Sequence, residues 1–331
     1  MMSRDISRDV IRGLTILEMN HTEFSSSPIF DHASYQDKKL NYADTIFPCF
    51  SFLTGFSGRP VPFVKNLQTI GLGLCFNALP ILVNGGRLRL PGVLQRHGLA
   101  SIILSASPEK GYIFPVLSTA TWFAISVFLA ADPKDPFTKP EDTAQQRIDK
   151  PIFKDRIYSS SYDPEGLLGA LMTAVTIWSG TWFSRQGFSL IEALACGSAL
   201  LATGKLLSLA SPKFLPVSKP LWSPTFTLMT SGYSICKCAL VKASIPYLPV
   251  SLLRALGTVG KKSMEVYFFG EILDIALKYG GSKSIWVKAK SWLESRVGST
   301  ISEIIMILSS DVALAAFAFA CSRYDWSIRL L

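Results

Sequence analysis

The sequence predicts an all-α fold, a polytopic transmembrane helical bundle of about 10–11 spans, each needing about 20 apolar residues. Three observations lead there. Hydrophobic residues make up 49% of the 331 and charged residues only 17%, against roughly 25% charge in a soluble domain; mean hydropathy is +0.31. Long apolar runs recur along the chain. They are continuous rather than alternating, which fits helices and not barrel strands, the two structures that satisfy their own backbone in lipid.

The runs of full length cover residues 67–83, 112–131, 167–183, 189–209, 221–240 and 301–321. Shorter or more polar ones cover 10–20, 45–57, 94–107, 247–256 and 263–277, and the stretch 221–256 can be divided in more than one way. Residues 1–331 therefore read as a single transmembrane domain. One polar extramembrane loop interrupts it at about 132–163, where Pro133, Pro136, Pro140 and Pro151 among mixed charges predict irregular backbone. A second polar stretch, 280–296, sets Trp286 and Trp292 among Lys283, Lys288, Lys290 and Arg296, a mixture that suits an amphipathic helix at the membrane interface.

The net charge of +9 would raise a nucleic-acid partner in a soluble protein. Here Lys and Arg gather between apolar runs, where cytoplasmic loops and lipid headgroups hold them, so the implied partner is the bilayer and no nucleic acid. Arg4, Arg8 and Arg12 flank the first run, and Arg59 and Lys65 follow the second. With both groups cytoplasmic, residues 22–42 face the opposite side. The six cysteines fall mostly inside apolar runs without CxxC pairs or histidine partners and read as small core residues; no metal is implied. The charged opening carries no pattern of a cleavable signal peptide.

Polar groups at membrane depth are the place to look for chemistry, because a charge at the bilayer centre costs about 2.5–3.5 kcal/mol on insertion scales. The first run carries Arg12, Glu18, Asn20 and His21. At about 100° per residue, Glu18 and Asn20 point about 200° apart, so at most one faces a given pocket. Of the three histidines His21, His32 and His97, His32 lies beside Asp31 and Ser34 just before an apolar run, a suitable setting for a general base.

Ser7-Arg8-Asp9-Val10-Ile11-Arg12-Gly13, His32-Ala33-Ser34-Tyr35, Ala43-Asp44-Thr45-Ile46-Phe47-Pro48, Gly92-Val93-Leu94-Gln95-Arg96, Tyr162-Asp163-Pro164-Glu165-Gly166, Lys219-Pro220-Leu221-Trp222-Ser223 and the segment from Gly260 to Glu271 follow one another along the chain. In content and order they resemble the heparan-alpha-glucosaminide N-acetyltransferase family. The resemblance implies transfer of acetyl from cytosolic acetyl-CoA, a co-substrate, to an amine or hydroxyl of a sugar-type acceptor across a membrane, without a metal. It implies His32 as active-site base and Asn20 as its polar partner, an amide able to hold the thioester carbonyl. Asp44, Arg96, Asp163, Glu165 and Arg12 follow as residues for substrate or acetyl-CoA.

Each has a plainer reading beside that one. Asp44 serves equally as a helix cap, Arg96 as a headgroup-seeking arginine, Asp163 and Glu165 as partners of a positive helix end, and Trp222 as an interface anchor. Tyr35 stands where the family has Trp, Lys262 where it has Asn, and Gly270 where it often has His, which leaves the acceptor open. So are the membrane, of lysosomal, vacuolar or other endomembrane type, and the assembly, a homodimer included. Two other classes share the pattern: a transporter or channel, which would use the polar groups as a path, and a catalytically silent membrane protein.

Overall fold

Short polar and proline-containing segments divide the apolar runs into separate helices in the computed structural model, which describes residues 6–58, 60–107, 111–160, 162–279 and 281–328. Arg4, Arg59 and Gly280 lie outside the described residues. In chain order the α-helices are α1 (Ile6–Phe24), α2 (Ile46–Phe56), α3 (Phe63–Asn84), α4 (Val93–Ala106), α5 (Ile113–Phe128), α6 (Ala144–Phe153) and α7 (Gly169–Gln186). After them come α8 (Leu190–Ala210), α9 (Pro224–Ser244), α10 (Val250–Lys261), α11 (Ser263–Lys278), α12 (Ile285–Val297) and α13 (Ser299–Arg323). No strand occurs among the described residues.

Among the described residues two helices, α8 and α13, are long and apolar enough to cross a membrane, and α5 is apolar but shorter. Length and composition alone thus single out two spans where the sequence suggests ten or eleven. The reason is local: α2, α4 and α10 have only 11, 14 and 12 residues, helix α3 includes Lys65 and Asn77, and α9 includes Lys237 and Lys242.

The described residues divide into two compact units, 6–31 with 240–328, and 32–239. In the first, α1 packs on α10, α11 and α13. Gly13 and Gly260 make the α1–α10 crossing close, since a methyl on either would overlap the backbone carbonyl of Leu256 or Asp9. Helix α12 packs on α13, with Arg296 4.1 Å above the Trp292 ring and Trp286 4.5 Å from Phe24.

In the second unit α7 is central and packs on α2, α4 and α5. The α2–α7 crossing uses the same device, a methyl on Gly55 or Gly180 overlapping the carbonyl of Ile177 or Phe52. The core around it holds Trp122, Phe137, Met172, Trp222 and Phe226. The polar interruption is not irregular throughout. Its middle forms α6, started by Thr143, whose side chain accepts from the Gln146 amide at 3.3 Å. Gln145 donates to Ser126 of α5 at 3.2 Å, and Phe137 stacks on Trp122. Buried partners on α5 thus give this segment a helix that its prolines disguise. Of the cysteines, Cys49, Cys238 and Cys321 are buried, whereas Cys75 is exposed and not a core residue.

Candidate functional site

His32 lies on the connector between α1 and α2, its side chain half exposed, with Nδ1 2.9 Å from Oδ1 of Asp44. Asp44 is fully buried, and its other oxygen accepts from the amides of Ala33 at 3.1 Å and Asn41 at 3.2 Å. One carboxylate therefore fixes both the imidazole and the backbone that carries it. Asp44 does not cap α2, whose first residue is Ile46 and whose N-cap is Thr45.

Lys219 completes this group. Its Nζ lies 3.0 Å from His32 Nδ1, 3.4 Å from Nε2 and 3.6 Å from Asp44 Oδ1. Burial lowers the Lys219 ammonium below the usual lysine range, against the opposing pull of Asp44. Burial also works to raise Asp44, but the His32 hydrogen bond and the charge of Lys219 outweigh it and hold the carboxyl below its ordinary value. The carboxylate stays ionised, oriented toward the Nδ1 edge of the ring.

A second group stands at the N-terminal ends of α4 and α7. Arg89 donates to Asp163 from Nε at 3.0 Å and from Nη2 at 2.5 Å, and to Glu165 from Nη2. Asp163 also accepts from the amides of Tyr158 and Glu165, at 2.8 and 2.9 Å. Burial would lower Arg89, but these carboxylates raise it above its ordinary value. The two acids thus pair with an arginine instead of meeting a helix dipole, and the first turn of α7 holds no acidic residue.

Arg96 is buried. Its Nη2 donates to the carbonyls of Pro164 at 2.6 Å and Gly166 at 3.3 Å, while Nε and Nη1 have no partner among the described residues. Its guanidinium lies 5.1 Å from the Trp222 ring. Buried among protein groups, it does not reach for headgroups. Trp222 is fully buried too, donates toward Thr176 at 3.3 Å and sits at φ 48°, so it is no interface anchor. Asp149 of α6 accepts from the Leu167 amide at 3.0 Å through Oδ1, and burial pushes its carboxyl up to about 6.

Asn20 and Arg12 belong to the other unit. Nδ2 of Asn20 donates to Ser310 at 2.7 Å and Asp311 at 2.8 Å, which occupies both of its N–H groups. His21 Nε2 lies 2.8 Å from the other oxygen of Asp311. Arg12 is half-buried on α1. His97, the remaining histidine, is held between Ser51 at 3.3 Å and Thr54 at 3.2 Å.

Of the residues singled out in the sequence, the second unit thus joins His32 to Asp44 and, separately, Arg96 to the segment bearing Asp163 and Glu165. Lys219, Arg89 and Asp149 are the additions. Lys219 already stood inside a family-like motif, but Arg89 and Asp149 carry no signal in one dimension beyond being charged residues beside apolar runs. No group of three or more His, Cys, Asp or Glu among the described residues could hold a metal ion. No family model matches this chain, and no curated protein matches it.

Proposed function

We propose that this chain is a polytopic membrane acyltransferase of the heparan-alpha-glucosaminide N-acetyltransferase type, with His32 as general base. The observation that carries the reading is the half-exposed His32 imidazole held through Nδ1 by the buried, ionised Asp44. In the tautomer whose Nδ1–H donates to Asp44, Nε2 carries the lone pair and is the proton acceptor that a catalytic base requires. Membrane embedding beyond two spans is supported by large apolar side chains exposed on α3 and α5, among them Leu67, Leu82, Val116 and Phe128. Large apolar side chains left exposed in this number suit lipid better than water.

In the proposed reaction the acceptor's amine or hydroxyl attacks the thioester carbon of acetyl-CoA. His32 takes the proton, the carbon–sulfur bond breaks, and the proton passes to the departing thiolate. Lys219, within 3.4 Å of Nε2, is placed to steady the negative charge on the carbonyl oxygen. Arg89 and Arg96 hold the 163–166 segment beside this region, so Arg96, Asp163 and Glu165 act through the shape of the site; Asn20 and Arg12 support the first unit.

The test is acetyl transfer from labelled acetyl-CoA to a panel of amino sugars in membranes containing the protein. His32→Ala should lower transfer at least about 100-fold, the scale of general-base catalysis, with unchanged membrane insertion. Undiminished transfer would sink the reading.

A transport reading has one specific observation in its favour: Asp311, midway along α13, is paired with His21 and Asn20, and an ionisable residue in a span often marks a proton or ion path. It expects proton movement through reconstituted vesicles that Asp311→Asn removes and His32→Ala leaves intact.

A further inference from the structure

Within the second unit, a cavity of about 400 Å3 lies among the C-terminal halves of α2, α4 and α7 and the residues just before α5. His32, Asp44 and Asp163 stand before the opposite, N-terminal ends of α2 and α7, so this cavity is a separate feature. Its volume lies within the range of small-molecule sites, which are mostly apolar with a few placed polar groups. Its walls follow that pattern.

Tyr112, Trp178 and Trp182 form one side: Trp182 Nε1 donates to the Tyr112 hydroxyl at 2.8 Å, and the Tyr112 and Trp178 rings stand 5.9 Å apart. Leu104 and Ile177 extend the apolar wall. Thr54, Ser101, Ser105, Thr181, Arg185 and Gln186 supply its polar groups, and two of them matter most for a ligand. Ser101 is 4% exposed, and its hydroxyl is buried with no hydrogen-bond partner among the described residues, a loss that a ligand oxygen would make good. Arg185, in the last turn of α7, also lines the cavity, and no carboxylate among the described residues pairs with it.

We infer that this cavity binds a phosphate-headed amphiphile, with the phosphate on Arg185, the apolar part along Trp178 and Trp182, and any further ligand oxygen on Ser101. A guanidinium fork matches phosphate oxygens, and the aromatic wall offers a continuous apolar bed for what is attached to them. The phosphate can come from a lipid headgroup or from a soluble phosphate. The chemistry is the same, and the assignment does not depend on His32.

The test uses the full chain in phosphatidylcholine nanodiscs, titrated with ω-bromododecyl phosphate, whose bromine quenches tryptophan fluorescence on contact. Saturable quenching is expected. It should weaken about tenfold in Arg185→Gln, the loss expected for one charge-assisted hydrogen bond, and its saturable part should disappear in a Trp178→Phe/Trp182→Phe variant. Inorganic phosphate is then added in excess. Displacement assigns the site to a soluble phosphate, and resistance assigns it to a lipid phosphate; both support the inference. Equal quenching in the Arg185→Gln protein, or a saturable component that survives loss of both tryptophans, overturns it.

Discussion

Asp44 holds His32 with one carboxylate oxygen and the amides of Ala33 and Asn41 with the other, so its removal acts on both geometry and charge. Asp44→Asn keeps the volume and loses the charge. Under the proposed reaction it should lower the turnover of acetyl transfer at least about 100-fold while the KM for acetyl-CoA changes little, measurable by initial rates in membranes. Asp149 gives a pH signature of its own. Burial raises its carboxyl from 3.8 to about 6, so between those values the folded protein holds a proton that the unfolded chain has released. Stability should therefore fall as pH rises from about 4 to about 6 and stay level above, by roughly 3 kcal/mol in all at 1.36 kcal/mol per unit. Asp149→Asn, unable to ionise, should flatten that window in thermal melts of the detergent-solubilised chain. Arg89 is the third residue to test. Its removal leaves the fully buried Asp163 without its cation, and breaking a buried pair from one side costs about 3–5 kcal/mol, so Arg89→Ala should lower the melting temperature well beyond an ordinary surface change.

Between elements, the two close crossings rest on glycine at matched positions, Gly55 with Gly180 and Gly13 with Gly260. A backbone approach of this kind is how helices associate where lipid removes the hydrophobic drive. Gly180→Ala would push its methyl into the Phe52 carbonyl and should destabilise the α2–α7 pair by about 1–3 kcal/mol, the usual cost of overpacking; Gly187→Ala at the open C-terminal end of α7, at φ 66°, tests backbone strain alone. Helix α6 shows why a composition reading fails locally. Prolines and charges between 132 and 163 predict an irregular loop, yet Thr143 caps a ten-residue helix whose buried face meets α5. Propensity is a weak prior that tertiary packing overrides.

At the scale of the whole chain, α8 and α13 are the helices that meet a spanning criterion by themselves, and the proposed polytopic bundle needs the shorter helices to cross in company. Alkaline carbonate extraction should leave the protein in the membrane pellet, and accessibility labelling of a cysteine introduced at Ser34 or at Ser189 should report which side each faces; release into the supernatant would contradict the reading. By itself, the sequence determined the helical class, the apolar runs and the candidacy of His32, because hydropathy and residue chemistry are properties of short stretches. It did not determine that Asp44 orients His32, that Lys219 lies against both, 187 residues from His32, or that Arg89 and not a helix end answers Asp163 and Glu165. Those pairings join residues far apart in the chain, and only the packing of α2, α4 and α7, made close by glycine, brings their ends near enough for charge to find charge.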